Sequence, residues 1–356
     1  MRLLSRNAEN FFWLARYLER GASLARVIEN QSSFGGHEKD QGWNWLLTLH
    51  SDEERFRKSF EQTPETIIAF YVTDSANPGS IRSSIHWARE NARSLRSFIP
   101  LEMWAQLNAL HTMIDEIGEH DMQRSELSRT CAKIRAGCLA QAGIAEGTLY
   151  RDEAYQFFKL GTMIERADQT SRLLDVKFAQ SATAQRTAAA PDDLVFWSMI
   201  LRTAGAFQVF HRFEPGDADA DGVVRFLVFN PNHPGSIGFC LRETRDALDM
   251  LRRGFSLGAT SSSLGSCEVL MNGLHIVGQT KGLPDELHAF NDWVQRALMN
   301  LTAEIAFAFF RAPPPERHSQ QPVPKGKIEV PSRTSSEGAA PGGGQSQSQS
   351  QSQKLS

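Results

Sequence analysis

Apolar residues recur at steps of three and four positions along most of the chain, which is the spacing of an amphipathic helix. One such stripe near the N-terminus comprises Phe11, Leu14, Leu18, Ala22, Ala25 and Ile28. A second comprises Phe157, Leu160, Ile164, Ala167, Ser171 and Leu174. Each segment is therefore predicted to be a helix with one buried face. Asn7, just before the first stripe, is predicted to cap that helix.

The same spacing predicts helices at about 43–60, 64–74, 79–99, 101–120, 124–149, 191–213, 235–253, 264–279 and 284–311. Two runs, 67–72 and 223–229, are rich in residues that favour strands. Their length alone does not distinguish a strand from a buried helix segment. Because the segments around them are helical in pattern, we interpret both runs as helices. The chain is therefore predicted to be all-α.

An internal repeat indicates how these helices are organised. Residues 11–29 match residues 157–175, including a Glu-Arg pair at the same place in each, and residues 77–81 (NPGSI) match residues 233–237 (HPGSI). An internal repeat is the mark of related structural units. We therefore predict a multi-helix bundle of two related halves, about 1–150 and 151–311, with pseudo-twofold symmetry.

The second pair of matching segments lies ten positions further apart than the first pair, 156 against 146. The second half is therefore predicted to carry about ten extra residues. They are expected in 181–193 and 214–222, two stretches of loop composition.

The last part of the chain has a different composition. Residues 312–356 are rich in Pro, Gly, Ser and Gln and contain few apolar side chains. Such a segment cannot bury enough surface to offset the entropy lost on ordering. We predict a helical domain over 1–311 and a disordered tail over 312–356.

Charge and composition exclude several classes of function. The formal net charge is −3, so no overall basic field attracts nucleic acid or an anionic membrane. No stretch approaches the length of a membrane span, and the N-terminus lacks the pattern of a signal peptide. We expect a cytoplasmic protein that binds neither nucleic acid nor membrane. The four cysteines lack the spacing of a zinc site and are expected to be reduced and mostly buried.

Six charged residues on the repeated helices form the main candidate site: Glu19, Arg20, Arg26, Glu165, Arg166 and Arg172. Adjacent helical residues point about 100° apart, so Glu19 and Arg20 are poorly placed to pair with each other. If the two repeated helices pack together, Glu19 can meet Arg166 while Arg20 meets Glu165. The set is either a structural ionic network, an anion or carboxylate site, or plain surface charge.

The NPGSI-like segments are the second candidate, because a helix start offers free N–H groups and a positive dipole end to an anion. The residues concerned are Asn77, Gly79, Ser80, Arg82, Gly235 and Ser236. Pro78 suits the first helical position, since it has no N–H to leave unpaired. The alternative interpretation is simple helix capping and close packing at the glycines.

Other motifs are incomplete. The segment 217–222 resembles the start of a calcium loop, but Val228 stands where the bidentate glutamate is needed. The acidic, His-containing segment 111–121 lacks the Glu-x-x-His spacing of di-metal bundles. The serine-rich segment 254–268 lacks a nucleophile elbow, and the chain has no phosphate loop. We therefore predict no metal site and no cofactor.

Several segments taken together resemble the bacterial alpha-E family, an all-helical domain named for its Glu-Arg motif. They are FFWLARYLERGASLARVIE, NPGSIRSSIHWARENARSLR, MIERADQTSRLLDVK and FNPNHPGSIGFCLRETRDAL, and the resemblance covers about residues 1–311. Members of that family are encoded beside, or fused to, a circularly permuted ATP-grasp protein, often near a transglutaminase-like protein. The resemblance implies a role in an ATP-dependent amide- or peptide-forming system.

Three functions follow as hypotheses. The first is a non-catalytic accessory protein that binds the ATP-grasp ligase or its substrate, with the transglutaminase-like protein as a further partner. The second is an enzyme whose site is the Glu-Arg network and whose substrate bears a carboxylate or phosphate. The third is a purely structural helical scaffold. Because the chain lacks a recognisable catalytic motif, the accessory function is preferred.

Overall fold

The computed structural model describes residues 3–34, 43–176, 193–214, 216–257, 260–279 and 283–312. This part of the chain contains fourteen α-helices and no strand, as the apolar pattern predicted. The helices are α1 Ser5–Phe34, α2 Asn44–His50, α3 Glu53–Arg57, α4 Pro64–Val72, α5 Ile81–Ser94, α6 Leu101–Asp115, α7 Arg124–Thr148, α8 Glu153–Leu174, α9 Asp193–Thr203, α10 Phe207–Phe213, α11 Ala220–Phe229, α12 Ile237–Asp249, α13 Thr260–Gly278 and α14 Leu287–Phe309. Short 3-10 turns lie at His120–Met122 and Leu283–Glu286, and a π-helical turn at Met250–Gly254.

Two long helices form the centre of the molecule. Helix α1 packs against α5, α7 and α8, and helix α8 packs against α1, α12 and α14. Both central helices bury the apolar stripes seen in the sequence, including Phe11, Leu14 and Ile28 on α1 and Leu160 and Ile164 on α8. Burial of these large side chains is the main favourable term that holds the bundle together.

The first helix begins earlier than predicted. It starts at Ser5, and the backbone N–H of Asn7 donates to the Leu4 carbonyl at 2.9 Å within the first turn. Asn7 is therefore a helical residue, and the prediction that it caps the helix is wrong.

Two of the predicted helices are each split in two. The segment 43–60 breaks at Ser51, whose φ of 55° is left-handed, and the segment 191–213 breaks at Gly205, with a φ of 68°. A left-handed residue reverses the chain at a helix C-terminus and lets the following N–H groups bond to the last carbonyls. The N–H of Asp52 bonds in this way to the Leu47 carbonyl, and that of Ala206 to the Leu201 carbonyl.

The two strand-like runs are helical, as interpreted. Residues 67–72 lie in α4 and residues 223–229 lie in α11. Each helix has a capping side chain just before it, since Thr63 accepts from the Thr66 N–H and Asp219 accepts from the Gly222 N–H. The cap supplies an acceptor for an N–H group that would otherwise lack a partner. Local capping and helical neighbours therefore outweigh the strand preference of the β-branched residues.

The NPGSI-like segments end in helix starts, but one step later than expected. Helices α5 and α12 begin at Ile81 and Ile237, with Ser80 and Ser236 as their N-caps. Pro78 lies before the helix, so its predicted place at the first helical position is wrong. The Asn77 side chain causes the difference, because its amide donates to the Phe70 carbonyl and its oxygen accepts from the Gly79 N–H, which folds the segment into a turn.

The remaining segments agree in part with the sequence predictions. Helix α13 begins at Thr260, within the serine-rich segment predicted to be a loop or helix entry. All four cysteines are free and buried. The predicted tail from 313 onward and the predicted loop residues 181–192 lie outside the described residues. Among the described helices none has the length and apolar character needed to cross a membrane.

Candidate functional site

Glu165 lies at the centre of the charged cluster between α1 and α8. Its carboxylate is fully buried and accepts the Nε–H groups of Arg16 and Arg20, each at 2.7 Å. Arg20 adds a second contact through Nη2 at 3.1 Å, and the side-chain amide of Gln169 donates at 3.1 Å. A buried carboxylate is tolerated only when it is paired and hydrogen-bonded in this way. The two helices are thus joined by charge as well as by apolar packing.

The two arginines determine the protonation state of this carboxylate. Burial by itself would raise the pKa of Glu165, but the charges of Arg16 and Arg20 and their hydrogen bonds outweigh burial and lower the pKa to about 2. For Arg20 burial acts to lower the pKa, and the charge of Glu165 reverses that effect and raises it. Both groups are therefore ionised across the whole range of physiological pH.

A second ion pair joins the same two helices, with the arginine now on α8 and the glutamate on α1. The Nε–H of Arg166 on α8 donates to Glu19 on α1 at 3.2 Å, and a further contact joins Arg166 Nη2 to the other oxygen of Glu19. The side chains are 28% and 19% exposed, so this pair reaches the surface, unlike Glu165. Both cross pairs expected from the spacing of the repeat, Arg20 with Glu165 and Glu19 with Arg166, are present. Their role in binding or in structure remains a prediction.

The last two arginines of the predicted set differ from each other. Arg172 pairs with Asp168 one turn earlier on α8 at 2.9 Å, and it also donates to the Leu49 carbonyl at 3.4 Å. Arg26 lies beside Gly205, and its guanidinium forms no hydrogen bond or ion pair with the described residues, although the charges of Glu19 and Glu29 attract it. Burial, followed by the charge of Arg135, lowers the pKa of Arg26. Neither arginine takes part in the two cross pairs.

Arg16 is a member of the network that the sequence reasoning missed. Besides its bond to Glu165, its guanidinium lies 4.9 Å from the ring centre of Trp13 and 3.5 Å from the hydroxyl of Thr302 on α14. Arg16 has no counterpart in the repeat, because Thr162 stands at the matching position. The available signal was its spacing, since a residue four positions before Arg20 lies on the same helix face.

The polar groups of the two NPGSI-like segments are largely engaged within the protein. Ser80 and Ser236 are fully buried, and each accepts a backbone N–H as a cap. The Asn77 side chain is taken up by its turn, and the guanidinium of Arg82 donates to the carbonyls of Thr73 and Ile114 at 3.1 Å. The Gly235 carbonyl accepts from Thr170 at 2.8 Å. Anion binding at these helix starts stays a prediction.

A cleft of about 300 Å³ lies at the end of the bundle where α1, α8 and α14 meet. It is lined by Leu3, Leu4, Ser5, Ala8, Glu153, Phe157, Leu257, Ala308, Phe309 and Arg311. None of the six predicted charged residues is among them. The Glu-Arg network is therefore separate from this cleft.

Comparison with known proteins gives a family and no activity. A model of the Alpha-E family, described as a predicted alpha-helical domain with a conserved ER motif, matches residues 3–310. The chain is also similar to an uncharacterized protein of Mycobacterium bovis and to one of Mycobacterium tuberculosis. Each is 22% identical over 268 residues, which cover 66% of this chain and 28% of the relative. No solved structure matches the chain.

Proposed function

The chain belongs to the Alpha-E family, and from this premise we propose that it is a non-catalytic accessory protein of an ATP-grasp-type amide or peptide ligase system. In this proposal the ion pairs of the Glu-Arg motif hold α1 against α8, and the catalytic activity belongs to the ligase. The chain binds the ligase or its peptide substrate.

The state of Glu165 carries the proposal. A general base works best when its pKa is near the working pH, whereas the pKa of this carboxyl is lowered to about 2. Its two oxygens already accept from Arg16, Arg20 and Gln169, and the side chain is fully buried. A substrate would have to displace the guanidinium of Arg16 or Arg20 to reach it. Such a group is suited to holding helices in register rather than to moving protons.

The proposed partner is a circularly permuted ATP-grasp protein, with a transglutaminase-like protein as a further candidate. The resemblance to the alpha-E family is the source of this proposal. The small share of each mycobacterial relative that the match covers, 28%, supports a helical module that works beside other sequence. We expect the partner to contact the outer surface of the helices, because Glu165, the centre of the Glu-Arg network, is fully buried.

Co-expression with such an ATP-grasp protein tests the proposal. The two proteins are expected to co-purify and to associate at micromolar concentration, and the complex is expected to change the rate of ligase ATP hydrolysis. Glu146→Gln is a surface control expected to leave the association unchanged, since this carboxylate is 67% exposed and, among the described residues, pairs with Arg151 and Tyr155. Absence of both association and any effect on the ligase would contradict the accessory function.

The competing function is an enzyme that acts at the more open part of the network. The Glu19–Arg166 pair favours it, because both side chains are partly exposed. In that case Glu19 or Glu165 would be the base, and Arg20 or Arg166 would hold a carboxylate or phosphate. Glu19→Gln and Arg166→Lys separate the two functions. If the pair is structural, these substitutions lower only the melting temperature. If the pair is catalytic, they lower the activity of a protein that remains folded.

We also propose that the two halves are related by duplication, with α1–α7 corresponding to α8–α14 in the same order. Packing supports this relation, since α1 contacts α5 and α7 just as α8 contacts α12 and α14. The same holds for the outer pairs α5 with α6 and α12 with α13. Under this relation the Glu-Arg motif occurs once in each half, and the two copies meet at the centre.

Details of the helix ends support the same relation. The left-handed residues Ser51 and Gly205 end α2 and α9, and Ser80 and Ser236 cap α5 and α12. Two buried edge-to-face aromatic pairs also correspond: Phe56 with Phe70 at 5.3 Å, and Phe210 with Phe226 at 5.4 Å. Because caps and ring pairs depend on local geometry, their recurrence at matching positions favours a common origin for the halves.

A further inference from the structure

Arg26 is a partly buried cation that forms no direct ion pair with any described residue, although the charges of Glu19 and Glu29 attract it. It lies on α1 two turns after Glu19, where it is partly buried. The nearest carboxylates are already engaged, because Glu19 pairs with Arg166 and Glu29 pairs with Arg135 at 2.7 Å. Three guanidinium groups therefore stand against two carboxylates, which leaves one positive charge in excess. A partly buried charge without a partner is unfavourable.

The repeat provides an internal comparison. Arg172 occupies the position on α8 that Arg26 occupies on α1, and it has Asp168 one turn before it as an ion-pair partner. The residue one turn before Arg26 is Ala22. One copy of this arginine thus carries its own carboxylate, and the other lacks it.

A second polar side chain without a partner lies close to Arg26. His233 is 8% exposed, and no described residue provides a hydrogen-bond partner for its buried Nε2. Its pKa is lowered by burial and then by the charges of Arg166 and Arg26, so the ring is neutral. In the other copy Asn77 stands at this position, with both its amide nitrogen and its oxygen hydrogen-bonded. The two unsatisfied groups therefore come from different halves, Arg26 from the first and His233 from the second, and each has a satisfied counterpart in the other half.

Three chain segments converge around these groups. The guanidinium of Arg26 lies against Gly205, where a Cβ would be 3.5 Å from Nη1. The turn at Gly205 contacts the turn before α12, since a Cβ on Gly235 would be 3.7 Å from the Ala204 carbonyl and 2.9 Å from His233 Nε2. Arg166 reaches the same turn by donating to the Pro234 carbonyl at 3.4 Å. Gly205 has no side chain that would narrow the space beside the guanidinium of Arg26.

From this arrangement we propose that Arg26, Arg166 and His233 form a binding site for a small oxyanion, a carboxylate or phosphate group. The planar guanidinium of Arg26 offers two parallel N–H donors that match either group. Arg166 adds charge, and the Nε2 of His233 donates in the tautomer that carries its proton there. The ligand would supply the negative charge that Asp168 supplies to Arg172. This site is independent of the proposed ligase partnership.

The test measures anion binding to the full chain. The melting temperature is followed while sodium phosphate, sodium acetate or sodium chloride is added at matched ionic strength. Phosphate or acetate is expected to stabilise the wild type beyond chloride, and the stronger of the two identifies the ligand group. The same stabilisation by chloride as by both oxyanions would overturn the proposal.

Three variants locate the effect. Arg26→Gln is expected to weaken oxyanion binding by about tenfold or more, whereas Arg253→Gln, which removes an exposed guanidinium, leaves it unchanged. Ala22→Asp places a carboxylate where Asp168 stands in the other copy. It is expected to raise the melting temperature without added anion and to remove the response to oxyanions. Equal oxyanion binding by wild type, Arg26→Gln and Ala22→Asp would contradict the proposed site.

Discussion

At the scale of single residues, Glu165 is the most constrained member of the Glu-Arg motif. It accepts from two arginines of α1 and has no exposed surface, whereas its counterpart Glu19 accepts from one arginine among the described residues, Arg166, and is 19% exposed. The same dipeptide therefore has two environments in one chain. The difference arises from Arg16, which is present on α1 and has no match on α8. The glutamate of one copy, Glu165, is fully buried, whereas the glutamate of the other copy, Glu19, reaches the surface.

Acid titration provides a prediction at this scale. The pKa of Glu165 is lowered from 4.5 to about 2 in the folded protein, so the unfolded chain takes up this proton at higher pH than the folded chain does. The stabilisation is complete above pH 4.5 and is lost as the pH falls toward 2, by about 3 kcal/mol. Denaturant unfolding of wild type and Glu165→Gln between these pH values measures it, and the curve of the variant is expected to be flatter.

A second group titrates near the same window. Burial, and then the charges of Arg172 and Arg20, lower the pKa of His50 to about 3, so acid also favours the unfolded state through this ring. Subtracting the free energy of unfolding of Glu165→Gln from that of the wild type at each pH removes the contribution of His50, which both proteins share. Parallel curves for the two proteins would contradict the pKa assigned to Glu165.

Much of this residue-level arrangement could be predicted from the sequence. The repeat and the angle between adjacent helical residues together predicted that Glu19 meets Arg166 and Arg20 meets Glu165. The spacing places Arg16 on the same helix face as Arg20, but its contact with Thr302 could not be predicted, because it depends on how far α14 approaches α1. The sequence shows Ala22 one turn before Arg26 where Asp168 precedes Arg172, but whether another acceptor reaches Arg26 depends on the packing around Gly205.

At the scale of helices, the closest contact is that between α1 and α8. A Cβ added to Gly161 would lie 2.1 Å from the carbonyl oxygen of Phe12, so only glycine permits this approach. The side chains of Phe12 and Phe158 are buried on the same two helices. The short distance between the backbones brings the charged groups of the motif within hydrogen-bond reach.

Replacement of this glycine tests that statement. Gly161→Ala is expected to destabilise the protein by about 2–4 kcal/mol, because a backbone atom of α1 must move. Gly143→Ala is the control, since nothing lies within 4 Å of a Cβ there and alanine is the better helix former; it is expected to stabilise by about 0.5–1 kcal/mol. Denaturant unfolding measures both. Equal effects of the two substitutions would contradict the close approach of α1 and α8.

The sequence predicted which segments are helical, but it did not predict where several of the helices begin and end. The apolar stripes predicted α1 and α8, but the breaks at Ser51 and Gly205 were missed. Serine is not a usual left-handed residue, and the glycine lay within a continuous apolar pattern. The start of α5 was misplaced because the Asn77 side chain, rather than Pro78, organises the turn. Side-chain hydrogen bonds of this kind are not visible in periodicity.

At the scale of the whole molecule, the protein is an all-helical member of the Alpha-E family whose Glu-Arg motif joins its two central helices. Under the proposed duplication, one half contributes α1 and the other contributes α8, so the ion pairs hold the halves together. The copies have diverged around their second arginine, where one is paired and the other is open. This divergence is the basis of the proposed oxyanion site.

We propose that the ion pairs of the Glu-Arg motif hold α1 against α8. A double-mutant cycle of Arg20→Gln and Glu165→Gln, read from the free energy of unfolding of the whole chain, tests it most directly. The account predicts a coupling of about 2–3 kcal/mol, with Glu165→Gln destabilising by about 3–5 kcal/mol because two arginines lose their counter-ion. Coupling below about 0.5 kcal/mol, with Glu165→Gln as stable as the wild type, would contradict the claim.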